Sequence, residues 1–265
     1  MYTFSSKLKT FSYALMIIGI IGVTYGFFTT PSSVEDVKVM LQESHDTHGE
    51  VATTHDNDAH TDEASSQDSA HSDDAHAEHV FHLLKNKPWS ALYVALFFFF
   101  IISLGTLAFY AIQHASQAGW PVVLFRVMEA ITAYLPIGGI LLFVFFMLSS
   151  AHLNHLFIWM DPEVVAHDEL IQNKTGYLNV PFFLIRAAIY MAGWIWYRQH
   201  SRKLTLAQDN ASDLSNYTKL FKRSAAFLVF FLVTESMMSW DWIMSLDPHW
   251  FSTLFGWYIF ASMIV

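Results

Sequence analysis

The sequence predicts an all-α fold, a polytopic transmembrane helical bundle of about six helices, and three observations lead to it. Only 14% of the 265 residues are charged, well under the roughly 25% of a soluble domain. Hydrophobic residues make up 54% of the chain and aromatic residues 17%. Several apolar runs reach the roughly 20 residues that a helix needs to cross about 30 Å of hydrocarbon.

The first run, FSYALMIIGIIGVTYGFF (11–28), follows Lys7 and Lys9. It is longer than the apolar part of a signal peptide and no small-x-small cleavage pattern follows, so residues 1–28 read as a retained N-terminal transmembrane helix. Residues 29–87 are a polar insert whose middle is low-complexity Asp, His, Ala and Ser. It has too few apolar residues to bury a core, so a largely flexible, acidic, His-rich loop is expected. Its histidines from His45 to His82 suit metal capture or proton buffering, but their irregular spacing defines no site.

The bundle proper is expected over 88–265. Pro88 and Trp89 open the second helix, where proline is tolerated. Trp120 and Pro121 open the third, which runs to about Leu148. Pro136 breaks one backbone hydrogen bond in it, and Gly138 with Gly139 permits a bend or a close helix approach. The fourth helix is read from about Tyr177 to Tyr197, the fifth from about Ser224 to Met244, and a sixth begins near Phe251. That last run ends without a polar flank, so the chain is expected to be part of a longer protein, with the C-terminal part of the bundle missing.

Charge orders these segments. The net charge is -9, but 13 of the 23 acidic residues lie between Glu35 and Glu78. The membrane part is therefore close to balanced. The basic cluster Arg198, Arg202, Lys203, Lys219, Lys222 and Arg223 flanks apolar segments and reads as a topology signal, with nothing to suggest nucleic acid. Placing Lys7, Lys9 and this cluster inside leaves the acidic insert, the 161–169 loop and the 245–250 turn outside. Cys is absent, which excludes covalently attached c-type haem, iron-sulfur clusters and thiolate zinc sites. A b-type haem needs two facing histidines inside the bundle, whereas His114, His152, His155 and His249 sit near helix ends. Any electrons must be held by a diffusible carrier or another subunit.

Ionisable residues within spans need a partner or a function, because each costs roughly 2.5 to 3.5 kcal/mol at the bilayer centre. Arg126 and Glu129, three apart, are placed to pair on one helix face. Arg186 and Glu235 are both read near mid-depth and form a candidate interhelical pair. Each pair has a purely structural reading, as a lock on helix register. Glu235, Ser236, Ser239, Asp241 and Ser245 instead suggest a polar track along which protons pass to the outer surface. Trp240, Trp242 and Trp250 are explained as an interfacial aromatic belt, and Asp247 with Pro248 as a turn capping the sixth helix. Asp241 and His249 beside flat aromatic surfaces also fit a quinol site, with hydrogen bonds to ring oxygens, a base and apolar walls.

With these residues in view, SWDWIMSLDPHWFSTLFGWYIFAS (239–262), VPFFLIRAAIYMAGWIWY (180–197) and FRVMEAITAYLPIGGILLF resemble the ActF-type membrane subunit of bacterial alternative complex III, a member of the NrfD/PsrC-like quinone-binding family. The similarity spans about 88–265, and the D-P-H-W-x-S-T-x-F-G string is its most specific part. The resemblance implies NrfD-like four-helix bundles in a longer subunit of the bacterial inner membrane, with a cytoplasmic N-terminus and a periplasmic acidic loop. It implies a quinol:cytochrome c (electron acceptor) oxidoreductase using menaquinone or ubiquinone. The implied partners are a sister NrfD-like subunit, an iron-sulfur protein, c-type cytochromes and membrane lipids. No haem or cluster belongs to this chain. The expected proton path is Glu235, Asp241, Glu129, Arg186 and Arg126. The expected quinone pocket is Asp241, His249, Trp240, Trp242 and Trp250. The competing expectation is a structural anchor that docks the redox subunits.

Overall fold

Within hydrocarbon a segment must satisfy its own backbone hydrogen bonds, and these apolar runs do so as helices. The computed structural model describes residues 5–48 and 68–264, and every regular element among them is helical. The chain divides into two compact units, Met1–Leu92 and Tyr93–Val265. Among the described residues, five helices are long and apolar enough to cross a membrane: Ser6–Phe28, Leu83–Ala115, Val122–Ser150, Val180–Gln208 and Ser215–Leu246. The shorter apolar helix Phe255–Ile264 follows them, which completes a helical bundle of about six.

In the first unit α1 (Ser6–Phe28) starts at Ser5, whose hydroxyl accepts from the Leu8 amide at 3.3 Å. α2 (Val34–His48) starts with a reciprocal cap. The Ser33 hydroxyl accepts from the Asp36 amide at 3.2 Å, and the Asp36 carboxylate accepts from the Ser33 amide at 3.0 Å. Each bond satisfies an amide that a helix start leaves open. α3 (Asp68–Ala115) runs through Pro88. The described flanks of the polar insert are thus helical where a loop was expected, and Pro88 lies inside a helix where it was expected to open one. Residues 68 to 87 contain neither Gly nor Pro, so neither strong helix breaker stands there. The histidine side chains from His45 to His82 lie outside those described, and so does the metal reading made of them.

In the second unit the expected third helix divides into α4 (Phe125–Ile131) and α5 (Tyr134–Ser150). Pro136 sits in the first turn of α5, where no amide is required of it. It begins a helix in place of kinking one. Two short helices follow outside the spans, α6 (Pro162–His167) and α7 (Glu169–Lys174), and Asp161 and Asp168 cap them. α8 (Val180–Gln208) starts at Asn179, whose side-chain oxygen accepts from the Phe182 amide at 3.0 Å. α9 (Ser215–Met238) then passes into a π-helical turn, Ser239–Ile243, and a 3-10 turn, Met244–Leu246. α10 (Phe255–Ile264) ends the described chain. Arg198, Arg202, Lys203, Lys219, Lys222 and Arg223, read above as flanking apolar segments, lie within α8 and α9 themselves, since residues 194 to 208 hold no Gly or Pro.

Lipid tails are as apolar as leucine, so close packing and hydrogen bonds hold these helices together more than apolar burial does. α8 meets α9 through Trp194 Nε1, which donates to Thr234 Oγ1 at 3.0 Å, and through Tyr197 stacked on Phe227 with centroids 3.9 Å apart. α3 and α10 approach where Gly105 faces the Met263 main-chain carbonyl. A Cβ at Gly105 would collide with that carbonyl, whereas one at Gly139 would meet Ile195 Cδ1 at an ordinary 3.5 Å. Close helix approaches are thus made at Gly105 and at Gly193, where a Cβ would run into the Phe230 ring of α9, whereas a Cβ at Gly138 would meet Tyr134 of its own helix and one at Gly139 has ordinary room.

Gly105→Val is expected to lower stability by about 1–3 kcal/mol through overpacking, and Gly139→Ala to raise it by about 0.5–1 kcal/mol, the usual gain of alanine over glycine inside a helix. Thermal unfolding of the purified protein in detergent measures both, and equal effects would contradict this packing.

Candidate functional site

The N-cap at Asn179 fixes how far Arg186 lies from the end of its helix. Six residues at 1.5 Å each put it roughly 9 Å in, short of the mid-depth position expected from a start at Tyr177. That places Arg186 level with Asp241, and the pairing follows. Arg186 Nε donates to Asp241 Oδ2 at 2.8 Å and Nη2 donates to Oδ1 at 2.7 Å. The expected Arg186–Glu235 pair does not form.

The Arg186–Asp241 pair is buried at both ends, with side-chain exposures of 4% and 0%. Its remaining bonding capacity is largely taken up. The Tyr190 hydroxyl donates to Asp241 Oδ2 at 3.0 Å, and Arg186 Nη1 donates to the Tyr177 carbonyl at 3.1 Å. The guanidinium carbon lies 4.0 Å from the Tyr177 ring centroid and 4.2 Å from that of Phe182, within cation–π range. A bidentate pair of this kind is directional as well as strong. Asp241 therefore has no free face for a quinol oxygen.

The π-helical turn presents Asp241 and Trp242 to different neighbours. Trp242 is fully buried, so it is no interfacial anchor, and it lines no pocket mouth. Phe97, Phe100, Phe146, Tyr190 and Trp194 surround it with ring centroids 5.2–6.2 Å away. Tyr93 donates to its carbonyl at 2.6 Å. Its indole N–H has no hydrogen-bond partner among the described residues, a cost of about 1–3 kcal/mol that aromatic packing must offset. Trp240 and Trp250 are partly exposed, 39% and 46%, as an aromatic belt requires.

Trp240 and Trp250 also wall a mostly apolar pocket of about 400 Å³, together with Tyr177, Lys174, Ser245 and Phe251. Two walls belong to the buried pair. Tyr177 stacks on Arg186, and the Ser245 hydroxyl donates to the Asp241 carbonyl. The 245–250 turn is tied to α7 twice, by Lys174 donating to the Pro248 carbonyl and by His249 Nε2 against Asp168 Oδ2 at 2.6 Å. His249 thus braces the pocket from outside. Asp247 accepts from the His249 amide at 3.2 Å and makes a local turn, because α10 begins only at Phe255 and needs no cap at 247.

Glu235 is 1% exposed, and its Oε1 has no hydrogen-bond partner among the described residues. The expected serine track next to it is less open than the sequence suggested. Ser236 donates to the Leu232 carbonyl at 3.0 Å and Ser239 to the Ser236 carbonyl at 2.7 Å. At the opposite end of this unit Arg126 and Glu129 pair as expected, at 2.8 Å. Tyr110 and Thr205 also donate to Glu129, at 3.2 and 2.7 Å, and Asp209 takes the other side of Arg126.

Asp168, Lys174, Tyr177, Tyr190 and Thr205 were not singled out in the sequence. Phe182 four residues before Arg186 was the one legible signal, a ring one helical turn from a cation. Comparison of the chain with protein-family models gives no match, and comparison with functionally curated proteins gives none.

Asp241→Asn is expected to cost about 3–5 kcal/mol, because it leaves a buried guanidinium uncompensated, whereas Arg186→Met with Asp241→Leu restores most of that loss. Thermal unfolding in detergent distinguishes the two, and equal loss in both would contradict the pairing. A second expectation concerns pH. Asp168 is held below the usual carboxylate range, foremost by the Ile171 amide and further by His249. Its folded value is depressed, so its contribution is present above about pH 4 and lost as pH falls through that lower value. Hydrogen exchange over 168–178, corrected for intrinsic rate, is expected to accelerate only in that acid range and to be fast at neutral pH in Asp168→Ala.

Proposed function

We propose that the chain is an integral membrane subunit of a quinol-oxidising complex of the alternative complex III kind, supplying a proton route through Glu235 and a quinol head-group pocket between Trp240 and Trp250. In this reading it lies in a bacterial inner membrane with a cytoplasmic N-terminus, and the pocket faces the periplasm. The sister NrfD-like subunit, the iron-sulfur protein and the c-type cytochromes hold the redox centres, and menaquinone or ubiquinone is the diffusible carrier. The reading rests on the sequence resemblance around 180–197 and 239–262.

One observation carries the proton role. Glu235 is a buried carboxyl inside a span, and one of its oxygens is unpartnered. A structural lock of this depth requires a partner, as Arg186 gives Asp241, and an unpaired polar group in hydrocarbon costs several kcal/mol. Such a group persists where its proton can leave and return. The pocket supplies the other half: apolar and aromatic walls for a ring and its tail, next to a positive group held rigid by Asp241.

The structural-anchor reading is favoured at one point, the saturated Arg186–Asp241 pair, and we assign that pair to positioning. Arg126 and Glu129 hold the opposite end in the same way.

In the assembled complex Glu235→Gln is expected to lower proton-coupled quinol oxidation by about tenfold or more while subunit stoichiometry on gel filtration is kept. Unchanged coupling would remove Glu235 from the route and leave the anchor reading.

A further inference from the structure

Between α5 and α8 the second unit leaves a groove lined by Gly139 and Phe143 on one side and by Ala188, Met191 and Ile195 on the other, with Val144 exposed at its rim. Every residue on its wall is apolar, so no side chain there offers a hydrogen bond. Gly139 and Ala188 carry too little side chain to fill the space between the helices. The volume is about 210 Å³. Its α8 wall, Ala188 to Ile195, is roughly 10 Å long at 1.5 Å per residue. The cross-section is therefore about 20 Å², against about 80 Å² for a helix 10 Å across, so a single extended chain fits and a partner helix does not.

The charge that goes with this groove lies further along α8. At about 100° per residue Ala188, Met191, Ile195 and Arg202 fall within about 60° of one another around the helix, so Arg202 continues the line of the groove. Arg202 is roughly 33 Å from the start of α8 at Val180, just past the hydrocarbon thickness of about 30 Å. The stretch from Ile195 back to Ala188 is roughly 10–21 Å from Arg202. Half a bilayer with its head groups measures about 20–22 Å, so the groove spans the acyl layer of one leaflet and Arg202 stands at that leaflet's head groups.

Arg202 and Lys203 are exposed, and neither has an ion pair among the described residues. Arg198, one turn earlier, adds a third positive charge. Glu129 and Asp209 do not neutralise Arg202. Glu129 acts on Arg198 and accepts from Arg126, Tyr110 and Thr205, while Asp209 pairs with Arg126. A neutral lipid would leave these cations unused. We infer that this edge of the second unit is a binding site for an anionic phospholipid, with its phosphate against Arg202 and Lys203 and one acyl chain in the groove between α5 and α8.

The test is native mass spectrometry of the full chain in detergent, titrated with dioleoyl phosphatidylglycerol, with dioleoyl phosphatidylcholine, or with inorganic phosphate. Phosphatidylglycerol is expected to bind about tenfold tighter than phosphatidylcholine, and Arg202→Gln combined with Lys203→Gln to abolish that preference. Lys219→Gln with Lys222→Gln, the same loss of charge on α9, is expected to change it by less than about twofold, because exposed charges act over short distances. Phosphatidylglycerol with a diazirine on its acyl chain is expected to label 139–144 and 188–195. Gly139→Leu fills the groove and is expected to cut that labelling about fivefold or more by steric exclusion. If Gly139→Leu fails to fold, Ala188→Leu, at an exposed position, is expected to give the same loss. Equal affinity for the two lipids, an equal effect of the α9 variant, or labelling outside the groove or unchanged when it is filled overturns the inference. Displacement of the lipid by inorganic phosphate overturns it too, as a site for a free anion. So does a lipid-independent dimer lost in Gly139→Leu, which would assign the groove to a second copy of the chain.

Discussion

The bidentate bond between Arg186 and Asp241 organises the end of the second unit that carries Trp240 and Trp250. A guanidinium there must be neutralised and hydrogen-bonded, and Asp241 meets both demands. The carboxylate is reached because α8 begins at Asn179 and because the chain after α9 turns through a π-helical segment. Once the pair is set, Tyr177 and Phe182 are held on the guanidinium faces, Tyr190 on the carboxylate, and Trp242 in the aromatic core beside them. The pocket between Trp240 and Trp250 inherits its rigid wall from this arrangement.

The same bond separates the roles of the two carboxyls. Asp241 accepts three hydrogen bonds and has no exposed surface, and it is thereby removed from chemistry that requires an accessible oxygen. Glu235, six residues earlier at the end of α9, has one oxygen without a hydrogen-bond partner and no paired cation among the described residues. Two acidic residues close together in sequence thus carry opposite expectations, and the difference comes from a single partner on α8.

The sequence made the helical membrane fold legible through the length of its apolar runs, and the Arg126–Glu129 contact through its spacing. Asp241 stood out by residue type, but its partner did not. The start of α8 was read three residues early, since an aromatic at Tyr177 continues the apolar pattern while the Asn179 cap is a local hydrogen bond. A π-helical turn leaves no composition signal, so Trp242 could not be told from Trp240, although one is core and the other faces outward. The extension of α3 through Pro88 was missed because proline at an apolar boundary reads as a start. His114 was noted only as lying near a helix end. What distinguishes it, two buried ring nitrogens without a hydrogen-bond partner among the described residues, is a property of packing.

Under the function proposed above, Glu235 exchanges a proton while Asp241 stays locked to Arg186. Redox-difference infrared spectroscopy of the assembled complex tests it most directly, through the carbonyl stretch of carboxyl groups that change state when quinol is oxidised. A carboxyl signal is expected that vanishes in Glu235→Gln and persists when Arg186→Met and Asp241→Leu are combined. A signal that survives Glu235→Gln and disappears with Asp241 would contradict it.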